Sequence, residues 1–283
     1  MPELPEVETV RRELEPWLRG RRIQEVALVD AQPGPKYENL LEAAGRDILE
    51  VTRRGKFLIL PLSGGQDLII HLGMTGIVTP KEPEKHVRVR LELDPGKDPT
   101  LYFQDVRRFG RFLVVPSGDY ATLPTLHQMG PEPLSDDFND EQFAKALEKS
   151  TTPIKTYLLS QKPVSGVGNI YADEALWGAK IHPLTPANRV PKRQIPLLVV
   201  MIKDVLEASI RVQGTTLRDY RTTNGEVGAY LDELKAYAQE ETPCARCGTP
   251  ISKIVVGGRG THFCPNCQKI PRKKSPRKQK EAS

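Results

Sequence analysis

The chain has 283 residues, which is long enough for two domains, and 38% of them are hydrophobic and 27% charged. No stretch approaches the roughly 18 consecutive apolar residues of a membrane span, and the acidic, amphipathic start does not resemble a signal peptide. These features argue against an integral membrane protein. We expect a cytoplasmic protein, or a nuclear one in a eukaryote, with no membrane contacts.

Basic residues are concentrated at the C-terminal end. The net charge is +5, and residues 242–283 alone carry ten Lys and Arg against one acidic residue. This asymmetry predicts a polyanionic partner, with nucleic acid first, although a solvated basic tail would also account for KKSPRKQK.

The first residues, MPELPEVETV, predict the start of a helix. Pro5 suits a first helical turn, and Pro16 is expected to kink or end the helix. The apolar face of the helix is formed by residues at helical spacing: Val7, Val10, Leu14 and Leu18.

Met1 precedes a small residue, so we expect an aminopeptidase to remove it and leave Pro2 as a free secondary amine. An α-amino group titrates near pH ~8, so an appreciable fraction is unprotonated at neutral pH. Glu3 and Glu6 stand at the helix start, where the helix dipole favours carboxylates and disfavours a protonated amine. The segment predicts either a nucleophile beside two acids or simply a capped helix with a loose end.

Between residues 22 and 115 the pattern changes to strands. VRVRLEL alternates strictly, so one of its faces is predicted to be buried. The other strand-like runs are IQEVALV, KFLILPL, DLIIHLG, TLYFQD and RFLVVP, with Gly, Pro and Asp between them. This succession is typical of an antiparallel sandwich or barrel.

The second half of the chain is predicted to be helical. Helical patterns cover residues 139–149, 153–160, 169–178, 194–212 and a short stretch near 215–220. We therefore divide the chain into an N-terminal domain over 1–120, a linker over 121–135, a helical domain over 136–238, a cysteine module over 239–269 and a disordered basic tail over 270–283.

The four cysteines have the spacing C-x2-C-x16-C-x2-C: Cys244, Cys247, Cys264 and Cys267. This spacing predicts one structural Zn²⁺ in a closed shell of four thiolates, with two disulfides as the alternative. Two short strands around GGRG place Arg259 at the tip of a hairpin, where it is either solvated or suited to a nucleic-acid groove.

Several turns carry residues suited to a nucleic acid, each with a plainer alternative. Lys56 precedes a buried strand, and Met74 lies in a Gly-rich turn, which argues for an exposed tip. Arg107 and Phe109 share a turn in which a cation and an aromatic ring suit phosphate contact and base wedging. Asn169, the last residue of the tight turn SGVGN, begins a helix, and the N–H groups of this turn can hold a phosphate or merely cap the helix.

Taken together, these residues resemble the bacterial formamidopyrimidine-DNA glycosylases. The motifs that carry the resemblance span almost the whole chain: MPELPEVET, RRGKFL, HLGMTG, VRRFG, GPEPLSDDF, GVGNIYADEALW and the four-cysteine finger. The resemblance implies an α+β protein of two domains. An N-terminal helix and an antiparallel β-sandwich are followed by a helical helix–two-turn–helix domain with a four-cysteine zinc finger.

The resemblance also implies an activity: a monomeric, bifunctional DNA glycosylase and AP lyase that excises oxidised purines from duplex DNA. The purines are 8-oxoguanine and formamidopyrimidines, and the enzyme nicks the strand by β- and δ-elimination without a catalytic metal. Pro2 is implied as the nucleophile, Glu3 as the general acid and Glu6 as its helper. Lys56 and Arg259 are implied to serve β- and δ-elimination and to contact phosphate.

DNA-binding roles are implied for further residues. Met74, Arg107 and Phe109 match the wedge that fills the gap left by the flipped base. His86, Lys155 and Asn169 match backbone contacts, and residues 215–228 match the segment that closes over that base. The family's wedge turn commonly has proline where this chain has Val106, which leaves the geometry of that turn open.

Two other functions fit parts of the pattern. An endonuclease VIII-like enzyme would prefer oxidised pyrimidines, although this chain has the PELPE form of the N-terminus and not PEGPE. A zinc-finger protein that recognises lesions without chemistry would not need Pro2 and Glu3.

Overall fold

The computed structural model of the chain describes residues 1–215, 222–226 and 228–271. The helix predicted near 215–220 and nearly all of the basic tail lie outside the described residues. Within the described part of the chain, no helix has the length and apolarity that crossing a bilayer requires.

The N-terminal half consists of one helix and eight antiparallel strands. The helix α1 covers Leu4–Leu18 and continues through Pro16 for two further residues. The strands are β1 (Ile23–Leu28), β2 (Thr52–Arg54), β3 (Phe57–Leu62), β4 (Gln66–His71), β5 (Gly76–Thr79), β6 (Val87–Leu93), β7 (Thr100–Asp105) and β8 (Arg111–Pro116). They form two four-stranded sheets in the orders β1-β6-β7-β5 and β2-β3-β4-β8, which confirms the predicted sandwich.

In the second sheet, β3, β4 and β8 are buried on both faces, which explains why these three strands read as continuous apolar runs. In β3, Leu58 and Leu60 face the core between the sheets, where α1 also packs. Phe57 and Ile59 face the other way, into a smaller cluster with residues 123 and 126. A strand covered on both sides cannot show polar alternation.

Two strands and one buried charge depart from the sequence prediction. The short strands β2 and β5 carry no apolar run, so periodicity did not reveal them. In β6 the alternation breaks at Arg88, which is buried although it stands in a polar position. Its guanidinium binds the Asp105 carbonyl and the Asp30 carboxylate, and this pairing makes the burial tolerable.

The second half is helical, as predicted. Its helices are α2 (Pro124–His127), α3 (Asp140–Glu148), α4 (Ile154–Leu159), α5 (Asn169–Gly178) and α6 (Ile195–Arg211). The short α2 lies in the segment predicted as a linker. Asn139 caps α3 by accepting the Gln142 N–H at 3.1 Å, so the predicted helix start is confirmed.

The cysteine module is a short hairpin, β9 (Ser252–Val256) and β10 (Arg259–Phe263). Gly257 and Gly258 form the two-residue turn, both with positive φ. Arg259 is therefore the first residue of β10, opposite Val256, and not the tip itself.

Helix α1 joins the two hydrophobic cores. Its first residue, Leu4, is fully buried among the helices of the second half. From Val7 to Leu18 its apolar face packs in the core of the sandwich. Because the helix crosses from one core into the other, its N-terminus lies at the boundary between them.

Candidate active site

The carboxylate of Glu3 is buried at the start of α5. It accepts the N–H groups of Gly168 at 2.7 Å and Ile170 at 2.9 Å, although Glu3 is 165 and 167 residues away in sequence. The neighbouring Leu4 N–H donates to the Gly166 carbonyl at 3.1 Å. The anion at this helix start is therefore the protein's own carboxylate, and these two N–H groups are not open to a phosphate.

Two glycines of the SGVGN turn make this close approach possible. A Cβ at Gly168 would lie 2.2 Å from the carboxyl carbon of Glu3. Gly166 has a φ of +77°, and a Cβ there would lie 2.4 Å from the Leu4 side chain. The local sequence marks these glycines as turn residues only, and the distant partner that requires them is brought next to them by the fold.

Lys56 shares this buried site. Its Nζ donates to the Val167 carbonyl at 3.2 Å, and its side chain is almost fully buried. Burial raises the pKa of Glu3, and the Lys56 ammonium partly opposes that rise. Burial lowers the pKa of Lys56, with Glu3 and Glu6 acting against it and Arg259 adding to it. Four of the five residues predicted to be catalytic thus influence one another electrostatically.

Pro2 is buried beside these groups, whereas Met1 is exposed. With Met1 in place the Pro2 nitrogen is an amide. Only removal of Met1 makes it the amine that the sequence predicts.

Glu6 lies one helical turn after Glu3 and is also buried. Its carboxylate accepts the Glu3 N–H at 2.8 Å, the Thr215 N–H at 2.7 Å and the Tyr171 hydroxyl at 2.5 Å. Burial raises the pKa of Glu6, and the Tyr171 hydroxyl is the strongest opposing influence. In the sequence, Tyr171 is indistinguishable from an ordinary helix residue of GVGNIYADEALW, and no local pattern marks it as a partner of Glu6.

The hairpin that carries Arg259 is docked on α5 by buried polar contacts. Lys155 is 0% exposed, and its Nζ lies 2.7 Å from Asp173 and donates to Thr261 at 2.8 Å. Asn169 donates its side-chain N–H to the Gly260 carbonyl at 3.2 Å. Arg259 itself is exposed, next to these buried contacts. Phosphate contacts by Lys155 and Asn169 stay predictions.

The predicted wedge turn is held by the buried carboxylate of Asp105. This carboxylate accepts the Thr75 hydroxyl at 2.6 Å and the Gly110 N–H at 2.7 Å, while Thr75 accepts the Arg107 N–H at 3.0 Å. The structure thus fixes both ends of the turn. Phe109 is 52% exposed, and the Arg107 guanidinium lies 5.1 Å from the centre of its ring.

The remaining predicted DNA contacts surround this turn. Met74 is half-buried in the turn before β5, so it is less exposed than its glycine neighbours suggested. His86 has a φ of +66°, and its carbonyl accepts the Asp105 N–H at 3.0 Å. Val106 is exposed, and the hydrogen bonds around Asp105 hold the turn without a proline there.

The four cysteines form a site for one structural zinc ion. Their Sγ atoms all lie within 4.8 Å of one another, and the Sγ of Cys247 is 3.5 Å from those of Cys264 and Cys267. Four thiolates around Zn²⁺ have sulfurs about 3.8 Å apart, whereas a disulfide needs about 2.05 Å. The cluster therefore fits the metal and excludes the disulfide alternative.

Two packed domains, with Pro2 and Glu3 buried between them, and a zinc-finger hairpin define a class of fold that three family models match along the chain. The Formamidopyrimidine-DNA glycosylase N-terminal domain matches residues 1–112, its H2TH domain matches residues 129–221, and a zinc finger found in FPG and IleRS matches residues 242–270. The chain belongs to the formamidopyrimidine-DNA glycosylase family.

Individual relatives of known sequence or structure support this family membership. A formamidopyrimidine-DNA glycosylase of Deinococcus radiodurans is 47% identical, with 95% of this chain and 98% of the relative covered. The crystal structure of MutM (FPG) from Thermus thermophilus has a TM-score of 0.88 at 44% identity and covers 96% of this chain and 100% of its own. A Lactococcus lactis FPG mutant in complex with Fapy-dG-containing DNA has a TM-score of 0.84 at 39% identity, with 95% and 100% covered.

Proposed function

We propose that this chain is a bifunctional DNA glycosylase and AP lyase that removes oxidised purines from duplex DNA in base excision repair. The observation that carries the proposal is the buried position of Pro2 beside two ionisable side chains. Pro2 is buried next to a carboxylic acid, Glu3, whose pKa is raised by burial, and Lys56 lies in the same site. A nucleophilic amine, an acid that holds its proton more tightly and a buried cation are what glycosidic bond cleavage through an imine requires.

The damaged nucleotide must leave the helix before any of these groups can reach its sugar. Phe109 is exposed on a turn that Asp105 holds rigidly, so its ring can enter the gap without loss of the turn. Arg107, whose guanidinium lies 5.1 Å from the centre of this ring, is then placed to face the orphaned base of the opposite strand.

In the first chemical step the unprotonated Pro2 nitrogen attacks C1′ of the deoxyribose. As the N–C1′ bond forms, the glycosidic bond breaks, and the base departs with the bonding electron pair and takes up a proton from water. Glu3 then gives a proton to the sugar ring oxygen, the bond between C1′ and that oxygen breaks, and the ring opens. The nitrogen loses its remaining proton and is left as an iminium with C1′. The raised pKa of Glu3 keeps its proton available nearer to neutral pH than an exposed glutamic acid would.

The iminium acidifies the C2′ proton, whose loss expels the 3′ phosphate and cuts the strand. A second elimination then releases the 5′ phosphate. Lys56 and Arg259 are suited to grip these leaving phosphates, since their positive charges act on the same site from the sandwich side and from the finger.

Zinc supplies no reacting group, because four thiolates close its shell. It holds the hairpin of β9 and β10, and through it Arg259, against α5. The chain is also proposed to act in the cytoplasm, in association with the nucleoid, where duplex DNA is available.

Borohydride trapping on an 8-oxoguanine duplex tests the proposal. Processed protein is expected to give a covalent adduct through Pro2, and protein with a retained N-terminal extension is expected to give none. Pro2→Gly should weaken trapping strongly, whereas Pro5→Ala, a proline change in the first turn of α1, should not. Trapping that persists unchanged with the N-terminus blocked would falsify the assignment of the nucleophile.

A panel of duplexes with single lesions tests the substrate class. Formamidopyrimidine and 8-oxoguanine duplexes are expected to be cut faster than duplexes with oxidised pyrimidines. The reverse order would favour an endonuclease VIII-like specificity.

A further inference from the structure

Tyr171 is a fully buried residue of α5 whose hydroxyl stands at the centre of a polar cluster. The hydroxyl oxygen lies 2.5 Å from Glu6 Oε1, 2.6 Å from Ser209 Oγ and 3.0 Å from Thr215 Oγ1. Glu6 lies on α1 and Ser209 on α6, and Thr215 follows α6 in the chain. One hydroxyl thus connects three separate parts of the molecule.

The Glu6 carboxylate connects this cluster to the N-terminal residues by a hydrogen bond. Its Oε2 accepts the Glu3 N–H at 2.8 Å, and that N–H belongs to the peptide that joins Glu3 to Pro2. Its Oε1 accepts the Thr215 N–H at 2.7 Å in addition to the Tyr171 hydroxyl. With both oxygens engaged by donors, the carboxylate is held in one orientation.

We propose that Tyr171 is a positioning residue for the reaction: it orients the Glu6 carboxylate, which in turn holds the Pro2–Glu3 peptide and so aims the Pro2 nitrogen at C1′. The proposal rests on the proposed function of Pro2. Tyr171 touches neither the sugar nor the base in this role and acts only through Glu6.

The donors around Glu6 also define a pH dependence. The Tyr171 hydroxyl and the N–H groups of Thr215 and Glu3 favour the ionised carboxylate, while burial favours the neutral acid and leaves the pKa of Glu6 raised. Among the described residues, the charged groups that act on it are Glu3, the residue that precedes α1, and Lys56 next to β3. Loss of the Tyr171 hydroxyl removes one stabiliser of the ionised form, so Glu6 takes up a proton at a higher pH.

The test compares Tyr171→Phe with Tyr230→Phe. Tyr230 is a buried tyrosine whose ring centre lies 5.9 Å from that of Tyr171, so the control removes a hydroxyl from the same cluster of rings. Tyr171→Phe is expected to slow single-turnover excision about tenfold or more, with binding to an abasic-analogue duplex within about twofold. Its acid limb of the pH–rate profile should move up by about one pH unit, and that of Tyr230→Phe should not move.

A double-mutant cycle with Glu6→Gln separates positioning from general damage. If Tyr171 acts through Glu6, the Tyr171→Phe change should alter the rate of the Glu6→Gln enzyme by less than about twofold. An undiminished effect in that background, or an acid limb identical to wild type, overturns the proposal.

Two further comparisons keep the result interpretable. Should Tyr171→Phe fail to fold, Ser209→Ala takes its place, because it removes one hydrogen bond of the Tyr171 hydroxyl and leaves Tyr171 itself unchanged. A smaller upward shift of the acid limb supports the proposal, and an unshifted acid limb overturns it. Wild-type protein that excises and traps normally shows that the Pro2 chemistry stands even where the Tyr171 proposal fails.

Discussion

Lys155 can be tested for two different roles, a contact with the DNA backbone and the docking of the finger hairpin. The sequence predicts a contact with the DNA backbone, yet in the structure the side chain is 0% exposed. Its Nζ lies 2.7 Å from Asp173 Oδ1 and also donates to Thr261 Oγ1 at 2.8 Å and the Gly260 carbonyl at 3.1 Å. We expect this ammonium to act mainly by docking the finger hairpin on α5.

The substitution Lys155→Met removes the charge and keeps most of the side-chain volume. It leaves Asp173 as a buried carboxylate without its cation, although Asp173 Oδ2 still accepts the His262 N–H at 2.9 Å. Breaking a buried ion pair from one side costs about 3–5 kcal/mol. For a protein of this size such a loss lowers the melting temperature by roughly 6 °C or more.

Thermal melting and zinc release to a chelator measure the effect. We expect Lys155→Met to melt earlier and to lose zinc faster, because β10 loses the Lys155 contacts that help to hold it against α5. Lys145→Met is the matched control, since Lys145 pairs with Glu141 on an exposed face of α3 and its loss should leave the melting temperature unchanged.

A salt titration of DNA binding decides between the two roles. A phosphate contact predicts that Lys155→Met lowers the slope of log K against log[salt] by about 0.9 while stability is retained. That result, with a melting temperature equal to wild type, would refute the docking role. An unchanged slope in a destabilised protein supports it.

The other predictions concern the buried site. Gly168→Ala should slow excision by about 100-fold, because the new Cβ would lie 2.2 Å from the Glu3 carboxyl carbon and must displace that carboxylate. The control is Gly96→Ala, where no atom comes closer than 3.4 Å to the new Cβ, and it should leave the rate unchanged. Equal single-turnover rates for the two variants would contradict this prediction. Burial, with Lys56 nearby, lowers the pKa of His71 to about 4. Its neutral form stabilises the fold above pH ~6.5, and this contribution is lost as the pH falls toward 4. An NMR titration midpoint of the imidazole at 6 or higher would refute this.

Sequence reasoning succeeded where a signal is local. The helices from α3 to α6 and six of the eight sandwich strands follow from periodicity and turn residues. It missed β2 and β5, which are three and four residues long and have no apolar run of their own. It also missed the burial of Arg88, because the carboxylate and carbonyl that accept its guanidinium lie 58 and 17 residues away.

The sequence by itself determined the chemical groups: an N-terminal proline with nearby acids, and four cysteines at metal-binding spacing. Tertiary structure alone decided how they act. Glu3 meets the start of α5 because α1 belongs to two hydrophobic cores, and the glycines at 166 and 168 leave room for it. Tyr171 reaches Glu6 by the same packing. Contacts between residues about 165 positions apart depend on how the cores assemble, and no local pattern encodes them.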